Sequence, residues 1–290
     1  MPRPLAFIRK KLAFSWASMW VQRGRIYRGI YSDHEITEFC KSQRIFFLLG
    51  AGRSGTQLVS SLLNQNSNAV VLHEPSFYED VLVMDECRNN QNMAYKYLYD
   101  FRRYEIFREM KRHKNHIIYG EVTGTLRFHC SALKKIFPNA SLLILVRDGR
   151  DFVRSVMGWR QFYSYGSRGA WALSPNKDEE YYAEWERMSR FEKVCWFWMD
   201  SQKAVLKCIP AEDSVMLESV ASDYRYFTEQ LCKKLGLNVP QEIWGNIVTR
   251  RSKNSTRKYV FPEWNDWSVE EKKSFERICG PTMRLFGYSI

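Results

Sequence analysis

Two stretches of this chain carry residues whose types and spacing suit the handling of an anion. Arg44 to Gln57 reads RIFFLLGAGRSGTQ, an apolar run, a glycine-rich turn and a helix start. Glycines let backbone N–H groups close on a phosphate, and a helix N-terminus adds a positive dipole. Arg53 adds a guanidinium, and Ser54 and Thr56 add hydroxyls. Gly50, Gly52 and Gly55 also match GxGxxG, with Glu74 about twenty residues on, where a dinucleotide fold places the acid that binds a ribose hydroxyl. A dinucleotide-dependent oxidoreductase is therefore one reading of the loop. The triphosphate pattern GxxxxGK[ST] is not met, because its Lys is absent.

The second stretch is Arg147-Asp-Gly-Arg-Asp-Phe-Val-Arg-Ser155. A guanidinium closes an apolar run, and a hydroxyl follows inside the next helical segment. Both reach one phosphate if the turn folds back, and the planar fork of Arg suits phosphate oxygens. A plain dinucleotide fold has no need of this second clamp; a nucleoside with phosphate groups at both ends does.

The elements that must position these groups are legible as short apolar runs alternating with helical stretches. The runs are Arg44–Leu49, Ala69–His73, His116–Glu121, Ser141–Val146 and Ser214–Leu217. They lack period-2 alternation, as expected of strands buried on both faces of a parallel sheet. Thr56–Asn64, Met93–Lys111, Asp151–Trp159, Tyr181–Cys208 and Ser222–Leu235 read as helices, with Gly236 as a stop for the last. The order predicts a single α/β domain, a central, mainly parallel sheet of about five strands flanked by helices. Ligands of such sheets bind outside the carboxyl ends of the strands, where both anion stretches lie. Residues 1–43 are expected to form a helical extension packed on the body formed by 44–290.

With RSGT after the first strand and RDxRDxxxS after a later one, the chain resembles the sulfotransferases that use 3′-phosphoadenosine-5′-phosphosulfate (PAPS). Phe137-Pro-Asn-Ala-Ser, Thr228–Leu237 and Cys279-Gly-Pro through Phe286-Gly-Tyr extend the resemblance over most of the chain. It implies a sheet related to nucleotide kinases and sulfuryl transfer without a metal, leaving 3′,5′-adenosine bisphosphate (PAP). It implies that Gly52, Arg53, Ser54, Gly55, Thr56 and Gln57 cradle the 5′-phosphosulfate, with Arg53 neutralising the leaving oxygen. Arg147 and Ser155 would hold the 3′-phosphate. Glu74 resembles the glutamate that serves as base in tyrosylprotein and several carbohydrate sulfotransferases, with His73 as its rival. Many members carry a Lys where this chain has Val122; Arg127 is the candidate replacement, and Glu121 a further candidate for acceptor contact or base. The favoured acceptor is a hydroxyl on a carbohydrate or glycolipid, with a small natural product next.

Arg250 to Lys258 reads RRSKNSTRK, five cations in nine residues. Read bare it suits a polyanion; the resemblance implies a loop closing on the 3′-phosphate, with Arg251, Ser255 and Lys258 as contacts. Trp159 to Trp171 holds five aromatic rings that suit a sugar face or a polycyclic alcohol. Lys plus Arg is 44 and Asp plus Glu is 32, a net charge of +12. Such an excess asks for an anionic partner, and a nucleic-acid binder is the third reading. Apolar residues at 45% and charged residues at 26% exclude a disordered or fibrous chain. Seven scattered cysteines without a CxxC pair suit a reducing compartment, and no apolar run reaches the length of a membrane span, so a cytoplasmic location with at most peripheral membrane contact is expected.

Overall fold

Strands β1 (Arg44–Gly50), β2 (Ala69–His73), β3 (Ile118–Thr123), β4 (Ser141–Val146) and β5 (Ser214–Met216) form one sheet. All pairings are parallel and the order is β2-β3-β1-β4-β5. These strands come from a computed structural model, which describes residues 20–159, 162–163, 173–254 and 261–290, with backbone alone for 251–254.

The apolar runs are unalternating because each strand feeds two cores. Phe46 and Leu48 of β1 pack with Val59, Leu62 and Leu63 on one face. Ile45, Phe47 and Leu49 pack with Phe137, Phe152 and Trp198 on the other. Helices Thr56–Leu63 and Gln241–Asn254 cover the first face, joined by the helical turns from Leu217 to Leu235. Phe77–Asn89, Cys130–Ile136, Gly149–Met157, Arg190–Leu206 and Val269–Leu285 cover the second. Helical residues 20–30 and Asp33–Ser42 also lie there, with Trp20, Tyr27, Ile36 and Cys40 buried. The single five-stranded parallel sheet flanked by helices is the fold class expected from the pattern of runs.

Several helices differ from expectation. The stretch expected as one helix from Tyr181 is helical only over Arg190–Leu206, opened by a capping box of Ser189 and Glu192 that satisfies two otherwise orphaned N–H groups. Met93–Lys111 is helical but loosens into a π-turn at Leu98–Arg102. Phe77–Asn89, Gln241–Asn254 and Val269–Leu285 were not anticipated. Gly236 does end its helix, at φ +67°.

Glu74 would lie beside the phosphate loop if β2 neighboured β1; β3 lies between them, paired to both, and Glu74 reaches the cleft from one strand further out.

Candidate active site

Beyond the carboxyl ends of β1, β2 and β3 opens a cleft of about 690 Å³. The turn Ala51–Gly55 enters it from β1. Gly55 caps the following helix at φ +80°, and a Cβ there would meet the Leu217 side chain at 2.3 Å. Arg53 is also left-handed, at φ 75°. Gly52, Arg53, Gly55, Thr56 and Gln57 line the cleft. A Cβ added at Gly52 would meet nothing within 4 Å, so open space lies in front of the loop backbone. From the other side Gly124 presses on the loop, where a Cβ would come 2.8 Å from the Gly52 nitrogen.

The two anion stretches converge. Arg53 Nε and Nη2 each donate to Ser155 Oγ at 3.3 Å, and Arg147 Nη1 donates to the Arg53 carbonyl at 3.1 Å. Ser155 is brought there by the helix Gly149–Met157, whose start is capped by Asp148 accepting from the Arg150 N–H at 2.8 Å. Trp159, one turn beyond Ser155, places its ring 4.8 Å from the Arg53 guanidinium. Arg147 itself lines the cleft. Ser54 and Ser155 are both buried, and neither is among the cleft-lining residues. Ser54 anchors the turn through its N–H to the Ala51 carbonyl, and Ser155 holds Arg53.

The loop, its helix N-terminus and two guanidiniums fit a phosphate-rich ligand. They offer backbone and charged donors on open space, with no carboxylate in the loop itself.

Glu74 reaches this cleft across the end of β3. Its backbone stands at φ 46°, and its Oε1 accepts from the Gly124 N–H at 3.1 Å. The side chain is 14% exposed, open enough to meet a ligand. His73 Nε2 lies 2.9 Å from Thr56 Oγ1 and 3.9 Å from Glu74 Oε2. The histidine is thus tied to the phosphate helix and Glu74 to the Gly124 N–H, and both line the cleft.

Three other sequence candidates are resolved. Val122 is fully buried in the sheet core, so no side chain at that position faces the cleft in this register. Glu121 is also fully buried. It pairs with Arg102 Nη2 at 2.5 Å and accepts from Tyr119 Oη at 2.6 Å, which removes it from acceptor contact. Arg127 lines the cleft.

Of the basic segment, Arg251 lies in the helix Gln241–Asn254, and Ser255 and Lys258 lie outside the described residues. Val248 of that helix lines the cleft, so the segment begins at its edge. Of the aromatic segment, Trp159 and Phe162 line the cleft, and 164–172 lie outside the described residues.

Sequence reasoning missed Phe77, Val81, Met84 and Phe197, which give the cleft an apolar wall. It also missed the charges beneath. Arg102 Nη1 donates to Ser76 Oγ at 2.7 Å, and its Nε lies 3.2 Å from Asp80 Oδ1. Asp80 in turn accepts from Thr125 at 2.9 Å. One buried cation therefore ties the turn after Glu74 to the turn after β3. An arginine in a tyrosine-rich helix gives no linear sign of such partners.

The model described as the sulfotransferase family matches residues 46–241. No curated protein matches the chain. Among solved structures, a sulfotransferase domain from the curacin biosynthetic pathway is 14% identical, with 83% of this chain and 98% of that chain covered and a TM-score of 0.46. A sulfotransferase from Mycobacterium avium is 13% identical over 91% and 82%, with a TM-score of 0.49. One from Alicyclobacillus acidocaldarius is 14% identical over 86% and 98%, with a TM-score of 0.47.

Proposed function

The chain belongs to the sulfotransferase family, and from that premise we propose that it transfers the sulfuryl group of PAPS to an acceptor hydroxyl held at Glu74. The observation that carries the reading is the meeting of Arg53, Ser155 and Arg147 beside the glycine loop. Two guanidiniums, from the turn after β1 and the end of β4, meeting at one loop make sense around a ligand with more than one anionic group.

PAPS supplies an activated sulfuryl group on a phosphate leaving group. In this reading the loop N–H groups of Gly52, Arg53, Gly55, Thr56 and Gln57 and the Arg53 guanidinium hold the leaving side and offset its growing charge, with Ser54 anchoring the turn. Ser155 accepts from Arg53, which keeps that guanidinium in place. Arg147 binds the second phosphate, joined by Arg251, Ser255 and Lys258 from the basic segment. Glu74, fixed by the Gly124 N–H, takes the acceptor proton as attack proceeds. The rest of the barrier falls through positioning, which the packed loop, Gly124 and Trp159 provide.

The cleft wall bears on the acceptor. Phe77, Val81, Met84, Phe162 and Phe197 offer few partners to sugar hydroxyls. They favour an alcohol on an apolar body over the carbohydrate suggested by the sequence resemblance.

The strand order speaks against the dinucleotide reading. In a dinucleotide fold the second strand neighbours the first and brings its acid to the ribose; here β3 intervenes and Glu74 binds the Gly124 N–H. Calorimetry with PAP, NAD and a short oligonucleotide separates the three readings. PAP alone should bind; NAD or oligonucleotide binding without PAP binding would overturn the proposal.

A further inference from the structure

Arg127 follows β3 on the turn that Gly124 begins, and it is 3% exposed. Its Nη1 donates to the Gly124 carbonyl. Nε and Nη2 are buried and have no partner among the described residues. Phe128 and Phe197 place their rings 4.7 and 5.1 Å from the guanidinium. Burial pulls its pKa down to about 10, which still leaves it cationic at neutral pH. A buried cation with two unused donors is costly unless an anion meets it.

Arg127 forms a partition between two hollows. Behind it is one of about 480 Å³, lined by Glu179, Glu180 and Asp200 together with Arg88, Lys203 and Lys207. There Arg88 pairs with Glu179 and Asp200, and Lys203 with Glu180. An anion entering that side would meet three carboxylates. In front is the active-site cleft, where Glu74 is the one carboxylate among the lining residues described. An anion therefore meets Arg127 from the front. Its guanidinium faces Phe197 of the apolar wall at 5.1 Å.

We propose that Arg127 receives an anionic group of the acceptor, so that the acceptor class is an amphiphilic hydroxy acid. Its hydroxyl lies at Glu74, its apolar body lies on Phe77, Val81, Met84 and Phe197, and its carboxylate or equivalent anion pairs with Nε and Nη2 of Arg127. This deepens the sulfotransferase reading and rests on it for the hydroxyl. The anion-binding half stands on Arg127 alone.

The test is calorimetry on the full chain saturated with PAP, titrated with dodecanoate or with dodecanol. The acid should bind more tightly by about tenfold or more, the scale of one charge-assisted hydrogen bond. Arg127→Met should abolish that preference, leave dodecanol affinity unchanged and keep or raise Tm, since an apolar residue replaces an unpaired buried charge. Equal wild-type affinity for acid and alcohol would overturn the proposal without any variant. So would a preference that survives Arg127→Met, or a large fall in Tm. With PAPS, an ω-hydroxy fatty acid and its methyl ester provide the second arm. Arg127→Met should raise KM for the acid alone; an equal fall in kcat for both would assign Arg127 to the transferred group and overturn the proposal. Failure of PAP to bind would sink the donor reading; the acid preference, then measured on the protein without PAP, would still decide the role of Arg127.

Discussion

Glu74 occupies left-handed backbone at φ 46°, a conformation that costs a non-glycine residue about 1–3 kcal/mol. The surroundings enforce it: the Phe77 N–H closes on the Glu74 carbonyl at 3.1 Å, and the Gly124 N–H holds the carboxylate. Strain held beside a cleft is consistent with a side chain aimed for use. Glu74→Gln keeps the shape and the acceptor oxygen for Gly124, so PAP affinity should be nearly unchanged. Turnover should drop by about a hundredfold to ten-thousandfold, the usual share of a general base. Steady-state assay beside calorimetry checks both, and a normal rate would remove Glu74 as base. Arg147→Ala should behave oppositely, weakening PAP by about tenfold to a hundredfold, as expected for a lost hydrogen bond between charged groups. Both residues were legible in sequence because each ends an apolar run, and the ends of such runs become the mouth of a parallel sheet. Arg127 was visible only as a substitute cation; its two unpartnered donors are a three-dimensional fact.

At the scale of elements, the site depends on how the helix Phe77–Asn89 is tied to β3. The tie is Arg102 between Asp80 and Glu121, all three buried. Two carboxyl groups share one guanidinium, and burial pushes the pKa of both upward. Carboxyl groups raised in the folded state stabilise it most below the ordinary carboxylate range. That contribution is lost as pH rises through the raised pKa values. Glu121→Gln should therefore flatten the fall of Tm with rising pH across that window, as read by thermal melts at graded pH. Arg102→Met leaves two buried acids unpaired and should cost about 3–5 kcal/mol in urea unfolding. The strands themselves were readable because burial on both faces makes a run continuously apolar. The helix Phe77–Asn89 was not, because it mixes Glu79, Asp80, Asp85 and Glu86 with Val81, Val83 and Met84. One of those acids, Asp80, points into the protein to meet Arg102, which spoils the amphipathic stripe. The strand order was also out of reach, since nothing local to β2 or β3 says which one pairs with β1.

At the scale of the whole molecule, the family match ends at residue 241, yet the remaining residues are wired to the site. The helix Val269–Leu285 packs along Arg190–Leu206, burying Phe275, Ile278, Cys279 and Met283. Met283 Sδ accepts from the Gly149 N–H at 3.3 Å, at the first turn of the helix that carries Ser155. Trp198, on the neighbouring helix, donates to the Arg147 carbonyl at 3.2 Å. Tyr288 donates to Glu218 at 2.9 Å, and Glu218 accepts from the Asp148 N–H at 2.9 Å. The turn from Arg147 to Gly149 is thus fixed from behind by Met283 directly and by Tyr288 through Glu218, with Trp198 beside them. Part of the net +12 also serves structure rather than ligand, since Arg277 reaches back to Glu184 and Glu192. Met283→Ala should cost about 2–5 kcal/mol of stability through the cavity it leaves. It should also weaken PAP binding at temperatures well below Tm, because Arg147 and Ser155 lose the support that sets their spacing, although Met283 lies far along the chain from both. Urea unfolding paired with calorimetry reads the two effects separately. A stability loss with unchanged PAP affinity would show that the second anchor is held by its own helix and strand without the C-terminal brace.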